Sequence, residues 1–260
     1  MKGLLIHVGS DGTHADYTLG ISGPIFEDQT FEFLHIMERT ETSEKRTYRM
    51  MAARRSPKKL SAFIPSEYED RIVHYDPDLE GFTYGEPVDA KRSARANVLS
   101  KLVIGDYIFF GASLCLYSED TYAVRTQPFI SRHQAKKMAK YVVGYFQVTG
   151  LYRGDASRGL KSITTLDGKK VDDILLQQIE KQITGNAHFK RSSGKFICAV
   201  GKVDRNNILL KRALRLTEDG FPFDPAKLGR KIYDEKRFPR GFKWLEESNV
   251  ETLLTGIASQ

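Results

Sequence analysis

The stretch ANVLSKLVIGDYIFFGA, residues 96–112, decides how the rest of the chain is read, together with YVVGYFQVTG at 141–150. Its first half is helical in pattern. Within KRSARANVLSKL (91–102), Val98, Leu99 and Leu102 fall on one side, and Asp89 stands where an N-cap belongs. A Gly-Asp turn at 105–106 then opens the apolar run LVIGDYIFFGASLCLYS, long enough for a buried strand. YVVGYFQVTGLY (141–152) reads as a second strong strand, and TYAVRTQPFISRHQAKKMAK (121–140) is an excursion between the two, with Ser131 as N-cap of a short basic helix over 131–140. Helix, turn, strand, excursion, strand is the order of an α+β protein.

Working outward, LLIHVG (4–9) is a short strand ended by Gly, and SDGTHADYTLG after it is loop chemistry. PIFEDQTFEFLHI (24–36) reads as a hairpin with one wet face, because Phe31, Phe33 and His35 alternate with Glu32 and Leu34. Residues 38–61 carry dense mixed charge and little periodicity, which predicts an exposed excursion with a short helix around 48–53. In RIVHYDPDLEGFTYGEP (71–87), the Gly and Pro residues confine regular structure to RIVHY. VDDILLQQIEKQI (171–183) is helical in pattern, and KFICAVGKVDRNNILLKRALRL (195–216) divides into two strands with DRNN as the turn. The stretch 221–248 is irregular, basic and aromatic. With no repeat, low-complexity tract or clean linker, one domain over 1–260 is expected, with a charged insertion near 38–61 and a basic helical insertion near 121–140.

Hydrophobic residues at 40% and charged residues at 28% are ordinary for a soluble globular protein. No apolar run approaches the ~20 residues of a membrane span. The opening MKGLLIHVGSDG is too short in its apolar part for a signal peptide, so a cytoplasmic protein with no membrane partner is the expectation. Cys115 and Cys198 sit in apolar runs and read as small core residues. The net charge of +7 is uneven. Residues 1–90 hold 10 Lys and Arg against 16 Asp and Glu, while residues 91–260 hold 30 against 17. Such a basic two-thirds suits a polyanion, nucleic acid first among them.

The core at 96–112 and 141–150 resembles the PUA-like superfamily, its EVE and ASCH branches in particular, which implies a mixed, barrel-like sheet with flanking helices. A longer set of motifs extends the likeness: HVGSDGT, GPIFEDQTFEFLHI, HYDPDLEGFTYGEP, LVIGDYIFFGA, YVVGYFQV, NAHFKR and LLKRALRL. From Val8 to about Leu216 the chain resembles the nucleotide modification associated domain family, third type. That resemblance implies a link with nucleic-acid base modification.

Several polar constellations can carry such chemistry. His74 and Asp76 stand two apart, on one face if the segment is extended, and a His oriented by a carboxylate is a general base or half of a metal site. A third and fourth metal ligand are not identifiable, so no metal is assigned. TGNAHFKR (184–191) follows the helix, with Gly185 suited to a left-handed C-cap and Phe189 to the core. Asn186 can pair with a base edge, His188 can stack or move a proton, and Arg191 can bind an anion in two places. GSDGT (9–13) offers Asp11 to a sugar hydroxyl or as a base. Each of these also has a plain structural reading, as an Asx turn, a cap or a loop glycine.

His74, Asp76 and His188 are therefore the catalytic candidates; Asp11, Tyr84, Asn186 and Arg191 the base- or nucleotide-binding ones; and Arg132, Lys136, Lys137 and Lys190 the phosphate-binding ones. Phe110 and Tyr145 share the stacking assignment with Tyr84. Three functions remain open: a module that holds a flipped or single-stranded base in a pocket with a basic rim, an enzyme that modifies a nucleobase or nucleotide by His/Asp acid–base chemistry, and a non-catalytic scaffold. Nucleic acid, DNA or RNA, or a nucleotide is the expected partner. The sequence assigns neither a cofactor nor an oligomeric state.

Overall fold

The computed structural model describes residues 1–9, 22–55, 58–88, 94–122, 138–203, 208–216 and 242–260. Two long strands form its centre. The strand β1 (Gly3–His7), the strand β2 (Gly23–Ile25) and the strand β3 (Thr83–Pro87) precede them. β4 (Tyr107–Leu116) is buried at every position but its two ends, as a continuous apolar run requires when both faces are covered. β5 (Met138–Asp155) lies antiparallel to it, from Tyr107 opposite Gln147 to Cys115 opposite Met138. Along the other edge of β4, β1 and β2 pair in tandem, both parallel, beside 107–111 and 114–116.

The far edge of β5 is built the same way. β7 (Lys195–Lys202) pairs with 147–155 and β8 (Leu209–Arg215) with 141–144, both antiparallel. They therefore run end to end in one direction and do not pair with each other; the turn read at 204–207 lies outside the described residues. Register shifts leave Val143 and Thr149 as extra residues in β5, and such bulges bend a strand that is otherwise too long to stay flat. β3 adds to β7 and β9 (Phe242–Leu245) to β1, giving the order β3-β7-β5-β4-β1-β9, with β6 (Thr164–Thr165) on the end of β5. Among the described residues this is one large open sheet of nine strands in a mixed α+β fold.

Helices are few: α1 (Ala94–Leu99), α2 (Glu119–Tyr122), α3 (Asp173–Gly185) and α4 (Glu247–Ala258) among the described residues. In and just beyond α1, Val98, Leu99 and Leu102 are buried together, as their spacing predicts. The Asp89 and Ser131 caps lie outside the described residues. The last turn expected of the basic helix is strand instead. Met138, Ala139 and Lys140 open β5 opposite Cys115, Leu114 and Ser113, and ladder pairing overrides their local preference. The Asp172 side chain accepts from Leu175 N at 2.8 Å and caps α3, whose Ile179 and Ile183 pack with Phe196, Cys198 and Val200. β9 and α4 were not anticipated, although Val250, Leu253 and Ile257 trace a buried helical stripe. No helix among the described residues is long and apolar enough to cross a membrane.

Two expectations about the acidic third change. The turn after Ile25 forms, with Phe26 N donating to Thr30 O at 2.9 Å, but the returning segment has no wet face. Phe31, Glu32, Phe33, Leu34 and His35 are all buried. Glu32 tolerates this because its carboxylate accepts from the backbone N–H of Arg54 at 2.7 Å and of Arg55 at 2.9 Å. The charged stretch after it is likewise packed. Isolated bridges join Met37 to Val73, Thr42 to Arg191 and Thr47 to Ile72, and Tyr48 is fully buried with its hydroxyl on the His35 carbonyl. Residues 48–51 form a turn rather than a helix. Replacing Glu32→Ala should leave two donors unmet and cost about 3 kcal/mol, while Glu32→Gln, which keeps one acceptor, should cost less. Urea denaturation of the two variants measures both.

Candidate functional site

The sheet edge at β3 is where three distant segments meet. The loop 74–82 leads into β3, the turn 186–191 follows α3, and the segment 38–44 lies against both. α3 ends at Asn186, whose backbone is extended (φ −65°, ψ 137°), so Gly185 is not the left-handed cap its position implies. The glycine serves another need: a Cβ there would run into the Asp78 carboxylate.

Asp76 sits at the middle of the meeting point, 7% exposed, and its peptide bond to Pro77 is cis. The N–H of Gly85 donates to its Oδ1 at 3.0 Å and its Oδ2 at 3.2 Å. Asn186 Nδ2 donates to Asp76 Oδ1 and to Thr83 Oγ1, both at 3.1 Å, while Asn186 Oδ1 accepts from His188 N at 2.9 Å. The His188 ring therefore comes to rest beside Asp76, with Nε2 3.6 Å from Oδ2, and edge-on to His74 at a centroid distance of 4.9 Å. His74 is held from its other side by Glu38, Nδ1 to Oε2 at 2.6 Å. His74, Asp76 and His188 are all buried, and each offers one metal-ligating atom within 4.8 Å of the others'.

Of the candidates named from the sequence, His74, Asp76, Asn186 and His188 lie together in the structure. It gives the cations beside them another role. Arg191 Nη2 lies 3.2 Å from Glu38 Oε1, and Lys190 Nζ lies 2.8 Å from Glu44 Oε2. Arg46 closes the second pair, its Nη2 2.6 Å from Glu44 Oε2. Both expected anion-binding residues thus clamp the turn onto 38–44, a clamp reinforced by Ser43 N on Lys190 O at 2.8 Å. Tyr84, expected to stack on a base, is 3% exposed, with its ring against Phe110 and its hydroxyl on Glu86. Phe110 is fully buried in β4. Tyr145 lines a groove with Tyr107, Gln147, Lys202 and Leu254 that shares no lining residue with the His–Asp centre. Asp11, Arg132, Lys136 and Lys137 lie outside the described residues. Glu38 and Glu44 are the residues that sequence reasoning missed, since no periodicity distinguishes them from the charges around them.

Burial dominates the electrostatics. It pushes the Asp76 carboxyl up to about 7, against the opposing pull of His74, the Gly85 N–H and Asn186. Burial also drives His188 well below its ordinary value, and its neighbours His74 and Arg191 push the same way. The close Asp76–His188 contact is therefore one in which the charged form of neither partner is favoured. Glu38 behaves oppositely: burial would raise it, but the hydrogen bond and charge of His74, with Arg191, hold it well below the carboxylate range. For Glu44, burial again opposes ionisation, and Arg46 and Lys190 outweigh it, holding the group at about 2. The arrangement places an imidazole lone pair and a carboxyl side by side, out of bulk water, on a frame of ionised clamps. That is the make-up of a reaction centre or a metal site.

A mixed α+β fold with a buried His–Asp–His centre at its sheet edge defines a class of protein but not its biology. Comparison with known families supplies the next step: residues 2–228 match nucleotide modification associated domain 3, and the chain belongs to that family. Neither a search of curated proteins nor one of solved structures finds a match.

Two outcomes test this construction. A Cβ at Gly85 would lie 2.7 Å from His188 Cδ2 and 2.8 Å from Asn186 Oδ1, so Gly85→Ala should displace the centre and cost about 1–3 kcal/mol in chemical denaturation. Glu44 titrates at about 2 when folded against 4.5 when free, so its contribution is complete above about pH 4.5 and is lost as pH falls towards 2. Glu44→Gln should flatten the stability–pH curve across that window.

Proposed function

We propose that this protein acts on a nucleobase or nucleotide, as an enzyme of nucleic-acid modification, with His74, Asp76 and His188 as its reaction centre. One observation carries the reading. In a chain of the nucleotide modification associated family, two imidazoles and a carboxylate from remote parts of the sequence converge in one buried cluster. Convergence of this kind is the geometry of chemistry more than of a surface contact. The two imidazoles and the carboxylate would act together on the reacting atom, and Asn186 would fix the orientation of Asp76 and of the turn that carries His188. The sequence of α1, the Gly105–Asp106 turn, β4 and β5 supports a PUA-like reading of the core that would present a base to this edge. A purely base-holding module finds less support, because Lys190 and Arg191 are engaged by Glu44 and Glu38 and Tyr84 has no free face.

The test is incubation with single- and double-stranded DNA and RNA and with free nucleotides, followed by digestion and mass spectrometry of the nucleosides. A new nucleoside mass is expected with the wild-type chain and none with His188→Gln, whose affinity for the same substrate should change by less than tenfold. Binding without any mass change, in every substrate tried, would favour the holding module and overturn the enzymatic reading.

A further inference from the structure

We propose that His74, Asp76 and His188 bind one divalent transition-metal ion, with Glu38 orienting His74 from behind. The inference concerns the same centre as the function above and deepens it, but it stands on the geometry of the centre alone. Three side chains that are each metal ligands are buried face to face, and their ligating atoms all lie within 4.8 Å of one another. No hydrogen bond joins the side chains of any two of them. The nearest pair, His188 Nε2 and Asp76 Oδ2, stands at 3.6 Å, too far for a hydrogen bond. Two ligands about 2.1 Å from a shared ion are separated by about 3.0 Å at a right angle and about 3.4 Å at a tetrahedral one. That pair is therefore within a few tenths of an ångström of coordination, and a pair at the full 4.8 Å has about 1.4 Å to close to reach the tetrahedral spacing.

The rings are also disposed for a shared ion. Two imidazoles on one metal place their centroids about 4.6 Å apart at a right angle and about 5.3 Å apart at a tetrahedral one. Those of His74 and His188 are 4.9 Å apart, with an interplanar angle of 76°. A second, independent observation concerns His188 itself. It is 5% exposed, yet Nδ1 has no hydrogen-bond partner and Nε2 has only the long contact with Asp76. A buried imidazole with neither nitrogen hydrogen-bonded is rare in a protein interior. It is well suited to donating a lone pair.

The surroundings complete the design. Glu38 Oε2 lies 2.6 Å from His74 Nδ1, the carboxylate–histidine relay that fixes a ligand's tautomer and leaves its Nε2 for the metal. Gly85 N, shared between both oxygens, and Asn186 Nδ2, on Oδ1, hold Asp76 with Oδ2 facing the His188 ring. Arg191 balances the charge of Glu38, so the ion answers to Asp76 alone. Two nitrogens and one oxygen select the middle of the first transition row over Mg²⁺ or Ca²⁺, which take oxygen ligands. Three protein ligands leave further positions open, where a substrate atom can coordinate.

Cobalt(II) is the probe, because its visible absorption reports coordination directly. The full-length chain, freed of metal with a chelator and shown folded by circular dichroism, is titrated with Co²⁺ in the absence of any nucleotide. The expected result is one equivalent taken up with a visible band, displaced by Zn²⁺ but not by Mg²⁺. Asp76→Asn and His188→Gln should weaken uptake at least 100-fold, and Glu38→Gln 10- to 100-fold. As a check that needs no variant, stoichiometric Co²⁺ should raise the wild-type melting temperature. A folded wild-type chain with no stoichiometric uptake, or uptake indifferent to Asp76→Asn and His188→Gln, overturns the proposal. Either result leaves the nucleoside assay free to succeed. Metal uptake by a loaded chain that alters no nucleoside supports the site while counting against the modification reading.

Discussion

A carboxylate buried as deeply as Asp76 has to be met by donors, and the donors chosen here organise everything around it. One comes from the Gly85 N–H of an edge strand, the other from the amide of Asn186 just past a helix end. Satisfying Asp76 therefore ties β3 to the C-terminal end of α3. The same amide turns back to the His188 backbone and sets the ring beside the carboxylate. An edge strand that leaves its N–H groups open invites pairing with another chain; here a side chain takes the Gly85 N–H. Closing the edge and building the centre are one act.

The positive residues around the centre show how charge in a composition differs from charge in a fold. Lys190 and Arg191 read as anion-binding in sequence because they follow a histidine in a polar turn. In space they meet Glu44 and Glu38, from a stretch whose density of charge had suggested solvent. That stretch packs because its carboxylates find partners: Arg46 and Lys190 for Glu44, His74 and Arg191 for Glu38. Two clamps result, one holding the turn and one holding a ring. Ion pairs as buried as these act through geometry, since breaking one leaves its partner's charge stranded.

Much of the sheet was legible because its signals are local. The apolar run of β4 and the part of β5 at 141–152 emerged from continuity of hydrophobic residues, and α3 from its helical pattern. What failed was also local in origin. Ladder pairing drew Met138–Lys140 out of a helix; Glu32 was buried by backbone donors 22 and 23 residues away; and a turn motif reads the same whichever way the next strand runs, so it left the tandem of β7 and β8 along one edge of β5 open. α4 was readable from Val250, Leu253 and Ile257 and was passed over. Tyr84 looked like a stacking residue until burial against Phe110 removed its free face.

By itself the sequence determined the α+β class and the family, and named His74, Asp76, Asn186 and His188 among its candidates. Residue type and motif order suffice for these, because the family match and the apolar runs are linear properties of the chain. Only the tertiary structure decided that they meet, that Glu38 stands behind His74, and that the neighbouring cations are engaged. Those facts depend on segments 36 to 153 residues apart being brought within hydrogen-bond distance, and no local pattern encodes the partner at the far end of such a contact.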